Sequence, residues 1–413
     1  MIRINSQRLH ESLKTMGQIG SKPDREGVTR LALSDEDRQG RDLFVKWLAE
    51  AGLDVRVDPV GNIWGIRSGK DSNALPVMAG SHLDTVRNGG IYDGALGVLA
   101  GLEVIRTLND NGVTTEKPVA VAAFTNEEGA RFQPDMMGSM FAAGVLELDN
   151  ALLSSDDDGI TVRQALEDIG YSGKDRLEAS AYLELHVEQG PQLDLEGTQI
   201  GVVQGIQGIA WWQGAYTGEA NHAGTTPLEY RRDSLLAASE LCLSLRSLAE
   251  ELGHSTRATM GRLHPLPDVV NVIPSESWFT IDLRQYDIRL FETAKKRVES
   301  LVSEIALKHG LEYSLEQKVD ALPIRFPLSM AHMVERAARK NGYSYRNMPS
   351  GAGHDAQFMH RICPSAMIFV PSRGGRSHCP EEFTSREDID RGADVLLRSM
   401  LELAGDISGK GRL

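Results

Sequence analysis

Cysteine is scarce in this 413-residue chain: only Cys242, Cys363 and Cys379 occur. That leaves no disulfide framework to expect and points to a reducing, cytoplasmic setting. The opening residues, MIRINSQRLH, lack the apolar centre of a signal peptide. Long hydrophobic runs are missing too. Stretches such as 119–124 within KPVAVAAF fall far short of the roughly 20 residues a membrane span needs, so no bilayer crossing is expected. Positive charge is in deficit, with 44 Lys and Arg against 58 Asp and Glu, a formal net charge of -14, and no basic stripe. Nucleic acid and anionic membrane are therefore poor candidates as partners, since both demand clustered cations. There is no internal repeat, low-complexity segment or disordered tract.

What is present is ordinary globular composition, 41% hydrophobic and 25% charged, in a chain long enough for two domains of unequal size. Ser34 and Asp37 flank the start of a helix in which Leu43, Phe44, Trp47 and Leu48 recur at helical spacing until Gly52. Val55 and Val57 alternate with polar residues, and an apolar run through Leu75, Val77 and Met78 ends at Gly80-Ser81-His82, giving two strands. A helix through Leu99, Leu102, Ile105 and Leu108 follows, then a buried strand over 119–124 and the acidic turn Asn126-Glu127-Glu128-Gly129. This strand, helix, strand order predicts a layered α/β domain that binds ligands beyond the carboxyl ends of its strands. The texture changes over 211–320. There two long helices (231–252 and 288–309) accompany a strand with Phe279, Ile281 and Leu283 on one face and Trp278, Thr280, Asp282 and Arg284 on the other, and a further strand near 311–319. The expected organisation is a catalytic domain of 1–210 and 321–413 interrupted by an α+β insert at 211–320. The chain returns to the α/β pattern with the apolar run 366–370, and a last helix opens on the capping box Thr384-Ser385-Arg386-Glu387.

Five segments set histidine and carboxylate beside glycine: GSHLDTV (80–86), GGIYDG (89–94), TNEEGARF (125–132), LELHVEQG (183–190) and GGRSHCPEE (374–382). Each alone is a weak signal, because a histidine also serves as a hydrogen-bonded structural residue and a carboxylate after a strand is often a solvated turn. Together they gain weight. His82, Asp93, Glu128, His186 and His378 all fall near predicted strand ends or in glycine-bounded loops, and imidazole plus carboxylate is the donor set preferred by zinc, manganese and similar ions.

The ordered series GSHLDTVRNGGIYDGALGVLAG, AFTNEEGARF, ELHVEQGPQL, NHAGTTP, NVIP, DLR and SGAGHDAQ resembles, over essentially the whole chain, the dimetal amidohydrolases that include N-carbamoyl-L-amino acid hydrolase, β-ureidopropionase and allantoate amidohydrolase. These belong to the wider aminoacylase and carboxypeptidase-like metallopeptidase group. The resemblance implies a mixed-sheet, dizinc exopeptidase-like catalytic domain carrying a ferredoxin-like lid or dimerisation domain. It also implies two divalent ions per subunit, zinc by preference with manganese, cobalt or nickel as alternatives. Asp93 would bridge them, with His82 and His186 completing one site and Glu128 and His378 the other. Glu127 is implied as the general base that passes the proton of water to the leaving nitrogen. Asp84 would fix the His82 imidazole as a supporting carboxylate, with a loop-capping role as the competing reading. Substrate recognition would fall to Gln189, His222, Asn271, Arg284 and the backbone of Gly353. Of these, Arg284 is suited to a bidentate grip on an α-carboxylate unless it merely pairs with Asp282 on its own strand face. The resemblance further implies a homodimer in which the lid of one subunit completes the other's site.

The implied reaction is hydrolysis of an N-carbamoyl-L-amino acid to the free amino acid, ammonia and carbon dioxide. Allantoate or β-ureidopropionate hydrolysis is the nearest alternative, followed by an aminoacylase or dipeptidase. A metal-free scaffold of the same fold is the reading from outside catalysis.

Overall fold

The computed structural model describes residues 2–22, 25–253, 256–407 and 409. Contacts divide the chain into two units, one of residues 1–205 with 326–413 and one of residues 206–325. The strands used below are β1 (Asp54–Val57), β2 (Ile63–Arg67), β3 (Val77–His82), β4 (Val119–Phe124), β5 (Ala181–Val187), β6 (Ile200–Ile206), β7 (Gly208–Thr217), β8 (Arg257–Leu266), β9 (Glu276–Gln285), β10 (Glu312–Ala321), β11 (Tyr345–Ser350) and β12 (Ser365–Val370). The principal helices are α1 (Ser6–Gln18), α2 (Asp35–Glu50), α3 (Ala95–Asp110), α4 (Ser234–Leu252), α5 (Ile288–Lys308), α6 (Leu328–Lys340) and α7 (Arg386–Ala404).

In the larger unit the sheet runs β6-β12-β5-β3-β4-β2-β1, with β11 beside β6. Its centre is parallel (β12 with β5, β5 with β3, β3 with β4) and its flanks are antiparallel (β12 with β6, β4 with β2, β2 with β1). The central strands β3, β4, β5 and β12 are buried at every position, as expected for parallel strands covered on both faces. That is why β4 and β12 read as near-continuous apolar runs, whereas the exposed β1 alternates. Helix α3 is buried around most of its circumference because it lies on β3 and is covered by α1 and α7. One core, including Leu9, Phe44, Leu102, Leu185, Ile368 and Leu396, joins these layers.

In the smaller unit four antiparallel strands in the order β8-β9-β7-β10 carry α4 and α5 on one face. The succession β7-α4-β8-β9-α5-β10 is ferredoxin-like. Leu241, Leu245 and Leu248 of α4 and Val298, Val302 and Ile305 of α5 recur at three- and four-residue spacing and pack on Phe279, Ile281 and Leu283 of β9.

Two local expectations are corrected. The last helix begins one residue later than the sequence box suggests: Ser385 is its N-cap, accepting from the Asp388 amide, while the Thr384 hydroxyl donates to the Pro371 carbonyl. The 231–252 helix begins at Ser234, because Asp233 accepts from the amides of Leu235 and Leu236 and sets the N-terminus there.

Candidate metal centre

The carboxyl ends of the parallel strands gather the ionisable residues. His82 is the last residue of β3, paired in register with Phe124, the last of β4, and the Glu127-Glu128 turn follows directly. His186 lies near the end of β5. Asp93 precedes the first turn of α3, whose N-cap Gly94 has φ 64°. A Cβ at Gly94 would stand 2.4 Å from the His82 ring, so only glycine lets the aspartate loop come this close. His378 and Gln189 both hold left-handed backbone conformations, φ 55° and 56°, on the loops that enclose the cluster.

Three groups of potential ligands result among the described residues, with ligand atoms in each within 4.8 Å of one another: His82, Asp93 and His186; Asp93, Glu128 and His378; and Glu184, His186 and His354; Asp93 is shared by the first two. Asp93 Oδ1 lies 3.1 Å from His186 Nε2 and 3.7 Å from His82 Nε2, and Oδ2 lies 3.3 Å from His378 Nε2. Glu128 Oε2 is 3.4 Å from His378 Nε2. Glu127 takes the other direction, with Oε2 3.4 Å from His82 Nε2. The neighbours in sequence thus diverge to opposite groups.

Both deep histidines have their tautomers set by main chain. His82 Nδ1 donates to the Asp84 carbonyl and His186 Nδ1 to the Val187 carbonyl, each at 2.9 Å, which turns the Nε2 atoms toward Asp93. Asp84 takes the competing, loop-capping role here. Its carboxylate is 3.9 Å from His82 Nδ1 and instead accepts the amides of Glu127 and Glu128, both at 3.3 Å. The backbone carbonyl holds the imidazole, and the side chain holds the glutamate turn. The physical reason is that the turn offers two buried amides that need an acceptor, whereas the imidazole already has one.

The electrostatics show what this cluster wants. Burial, reinforced by Asp355, Glu128, Asp93 and Asp84, holds the Glu127 carboxyl well above its usual range, and burial with Asp93 and Asp84 does the same to Glu128. Burial pushes His82 down to about 4. Burial also disfavours the charged form of His186, yet the hydrogen bond and charge of Asp93 raise it to about 9. Glu128 Oε1 and Gln189 Oε1 are buried with no hydrogen-bond partner. Two crowded carboxyls held back from ionising, imidazole Nε2 atoms aimed inward and an orphaned carboxylate oxygen are together a donor set short of positive charge. Divalent metal binding fits such a set.

Other sequence-singled residues lie around this centre. Gln189 Nε2 donates to Asp93 Oδ2 at 2.9 Å. Gly353 faces Met136, whose Cε would meet an added Cβ at 2.2 Å and whose amide donates to the Glu127 carbonyl. Sequence reasoning passed over Glu382, Ser377 and Glu184. Glu382 Oε1 accepts the amides of Tyr92 and Asp93, and Glu184 accepts from Ser81 Oγ and the Ala356 amide. A carboxylate that receives backbone amides leaves no spacing signature in sequence.

Three remaining candidates belong to the smaller unit. His222 and Asn271 are neighbours there, since 221–222 pairs with 272–273 and the Ala223 amide donates to the Asn271 carbonyl. His222 Nδ1 accepts the amides of Gly224 and Thr225, which assigns the proton to Nε2 and makes that exposed nitrogen a donor. Arg284 makes a forked contact with Asp282 on the same face of β9, at 3.1 Å from both Nε and Nη2.

Residues 78–402 match the model of peptidase family M20/M25/M40. The chain is 39% identical over 409 residues to an N-carbamoyl-L-amino acid amidohydrolase of Geobacillus stearothermophilus, covering 97% of this chain and 99% of that protein. It is 35% identical over 398 residues to an allantoate amidohydrolase of Bacillus subtilis, covering 95% and 96%. Among solved structures, an amidase of the hydantoinase/carbamoylase family from Burkholderia multivorans superposes with a TM-score of 0.95 at 42% identity, covering 98% of each chain.

Proposed function

The chain belongs to the M20/M25/M40 peptidase family, and from that premise we propose that it is an amidohydrolase removing the carbamoyl group of N-carbamoyl-L-amino acids to give the free amino acid, ammonia and carbon dioxide. The observation that carries this reading is the pair of ligand groups sharing Asp93, set in a chain that aligns over nearly its full length with N-carbamoyl-L-amino acid amidohydrolases.

His82, Asp93 and His186 would hold one divalent cation, and Asp93, Glu128 and His378 the other. When bound, the pair supplies polarisation of the ureido carbonyl and acidification of water. Zinc is the preferred identity, with manganese, cobalt or nickel as alternatives for such a donor set. Glu127 takes the proton of the attacking water and returns it to the departing nitrogen. Its burial among carboxylates supports this role, because a base with a raised pKa is also a competent acid. Gln189 and the Gly353 backbone would orient the ureido group. His222, through its Nε2–H, and Asn271 would donate to the oxygen that gains charge. Arg284 would select the α-carboxylate, which would have to displace Asp282 from the Nε and Nη2 fork it holds in the structure. We assign the smaller unit a lid and dimerisation role and the protein a homodimeric, cytoplasmic existence; no described helix is long and apolar enough to cross a membrane.

The test is ammonia release from a panel of N-carbamoyl amino acids, allantoate, β-ureidopropionate and N-acetyl amino acids, before and after chelation and with zinc or manganese restored. Turnover of the N-carbamoyl L-series that chelator abolishes and metal restores is expected. A metal-replete protein that releases no ammonia from any ureido acid would overturn the proposal, and a preference for allantoate would move the assignment to that reaction.

A further inference from the structure

Glu382 is almost fully buried, 5% exposed, on the loop between His378 and α7. No described cation forms an ion pair with it. Its Oε1 accepts two consecutive backbone amides, Tyr92 and Asp93, each at 3.1 Å. Its Oε2 receives the Ser377 hydroxyl at 2.9 Å, and the same hydroxyl lies 3.1 Å from Asp93 Oδ2. The Glu382 amide donates to the Cys379 carbonyl, closing the turn that follows His378. The approach is built into the sequence on both sides: a Cβ at Gly90 would stand 2.1 Å from Glu382 Oε1, so glycine at that position is what admits the carboxylate.

These contacts join two loops that are 284 residues apart in sequence at Ser377 and Asp93. One loop carries the aspartate common to both ligand groups, the other carries His378. A buried carboxylate is costly unless its acceptors are satisfied, so a position that holds one without a cationic partner is strongly selected by geometry. We propose that Glu382 is a positioning residue for the metal centre: it fixes the Asp93 main chain and, through Ser377, sets the distance between Asp93 and His378, so that the group containing His378 is complete only when Glu382 is in place. The inference rests on the metal reading above. Glu382 itself is not a ligand in it.

The division of labour gives graded expectations. Glu382→Ala removes the acceptor of both amides and the link to Ser377. Glu382→Gln keeps one oxygen for the amides and offers an amide nitrogen to Ser377 Oγ. Ser377→Ala keeps the amide clamp and cuts only the link to the His378 loop. Purified, chelator-stripped proteins are titrated with zinc alone by calorimetry, and with cobalt(II) alone by visible absorption, which reports ligand geometry independently of turnover. Wild type is expected to take up two cations. Glu382→Ala should bind the second cation about 10- to 100-fold more weakly, the range found when supporting groups of metal ligands are removed, with an altered cobalt spectrum. Ser377→Ala should weaken the second cation alone, and Glu382→Gln should recover most of the affinity. If Glu382→Ala does not fold, Ser377→Ala still decides the matter. Two cations bound with wild-type affinity and spectrum in Ser377→Ala and, where it folds, in Glu382→Ala would overturn the inference while leaving the proposed function intact. A wild type that takes up no cation would instead sink the metal reading.

Discussion

Glu127 and Glu128 share a peptide bond and part company at the Cβ, one carboxylate reaching toward His82 and the other toward His378. If the first moves the proton and the second holds a cation, Glu127→Gln should lower kcat by about 10²- to 10⁴-fold, the usual worth of a general base, with cation content unchanged by elemental analysis. Near-normal turnover in that variant would remove Glu127 from the mechanism. At this scale the sequence was informative where ionisable residues sit in glycine-bounded strings, as with His82, Asp93 and His378. It was silent where the role belongs to main chain. Nothing in GSHLDTV shows that the Asp84 carbonyl, rather than its carboxylate, meets His82, and nothing in CPEE shows that Glu382 accepts the amides of Tyr92 and Asp93. The cysteines give a second residue-level expectation. Cys242 is exposed, whereas burial pushes the Cys363 thiol up to about 11. Because only the thiolate is nucleophilic, the reactive fraction of Cys363 falls about tenfold for each pH unit below that value. Iodoacetamide at pH 8 should therefore modify Cys242 well before Cys363 in the native protein, and mass spectrometry showing the reverse order would contradict the burial described.

At the scale of elements, helical spacing announced α2 and α3 and strict alternation announced β9, because each buries apolar residues at regular intervals. Starts were less legible. Capping depends on which of several adjacent Ser, Thr and Asp side chains turns back on the first amides, and Ser385 does so in place of Thr384. Ser385→Ala should cost about 1 kcal/mol in a urea titration, the ordinary worth of an N-cap, while Thr384→Ala should leave the first turn of α7 capped. Gly94 matters more for function. Its φ of 64° and the 2.4 Å approach to His82 mean that Gly94→Ala both strains the turn into α3 and displaces a ligand candidate. A stability loss of about 1–3 kcal/mol is expected from the strain. Weakened cation binding should accompany it, and thermal melts paired with zinc titration will show whether the two losses occur together.

At the scale of the whole molecule, the residues assigned to the cations come from distant parts of the chain, His82 to His378, yet all lie in the larger unit. Linkage then makes a directional prediction. A ligand that binds only the folded state stabilises it by RT ln(1 + [L]/Kd), about 2.7 kcal/mol at a hundredfold excess over Kd. That stabilisation should appear where the ligands are. Hydrogen exchange followed by mass spectrometry, with zinc and after chelation, should show slower exchange at the ends of β3, β4 and β5, at the start of α3 and in the 372–383 loop. Crowded carboxylates give the reason for the sign: without positive charge they favour protonation or separation, and a divalent cation converts that repulsion into attraction. Zinc-dependent protection found chiefly in α4 and α5, with none at the ends of β3, β4 and β5, would place the cations elsewhere and remove the basis for the proposed chemistry.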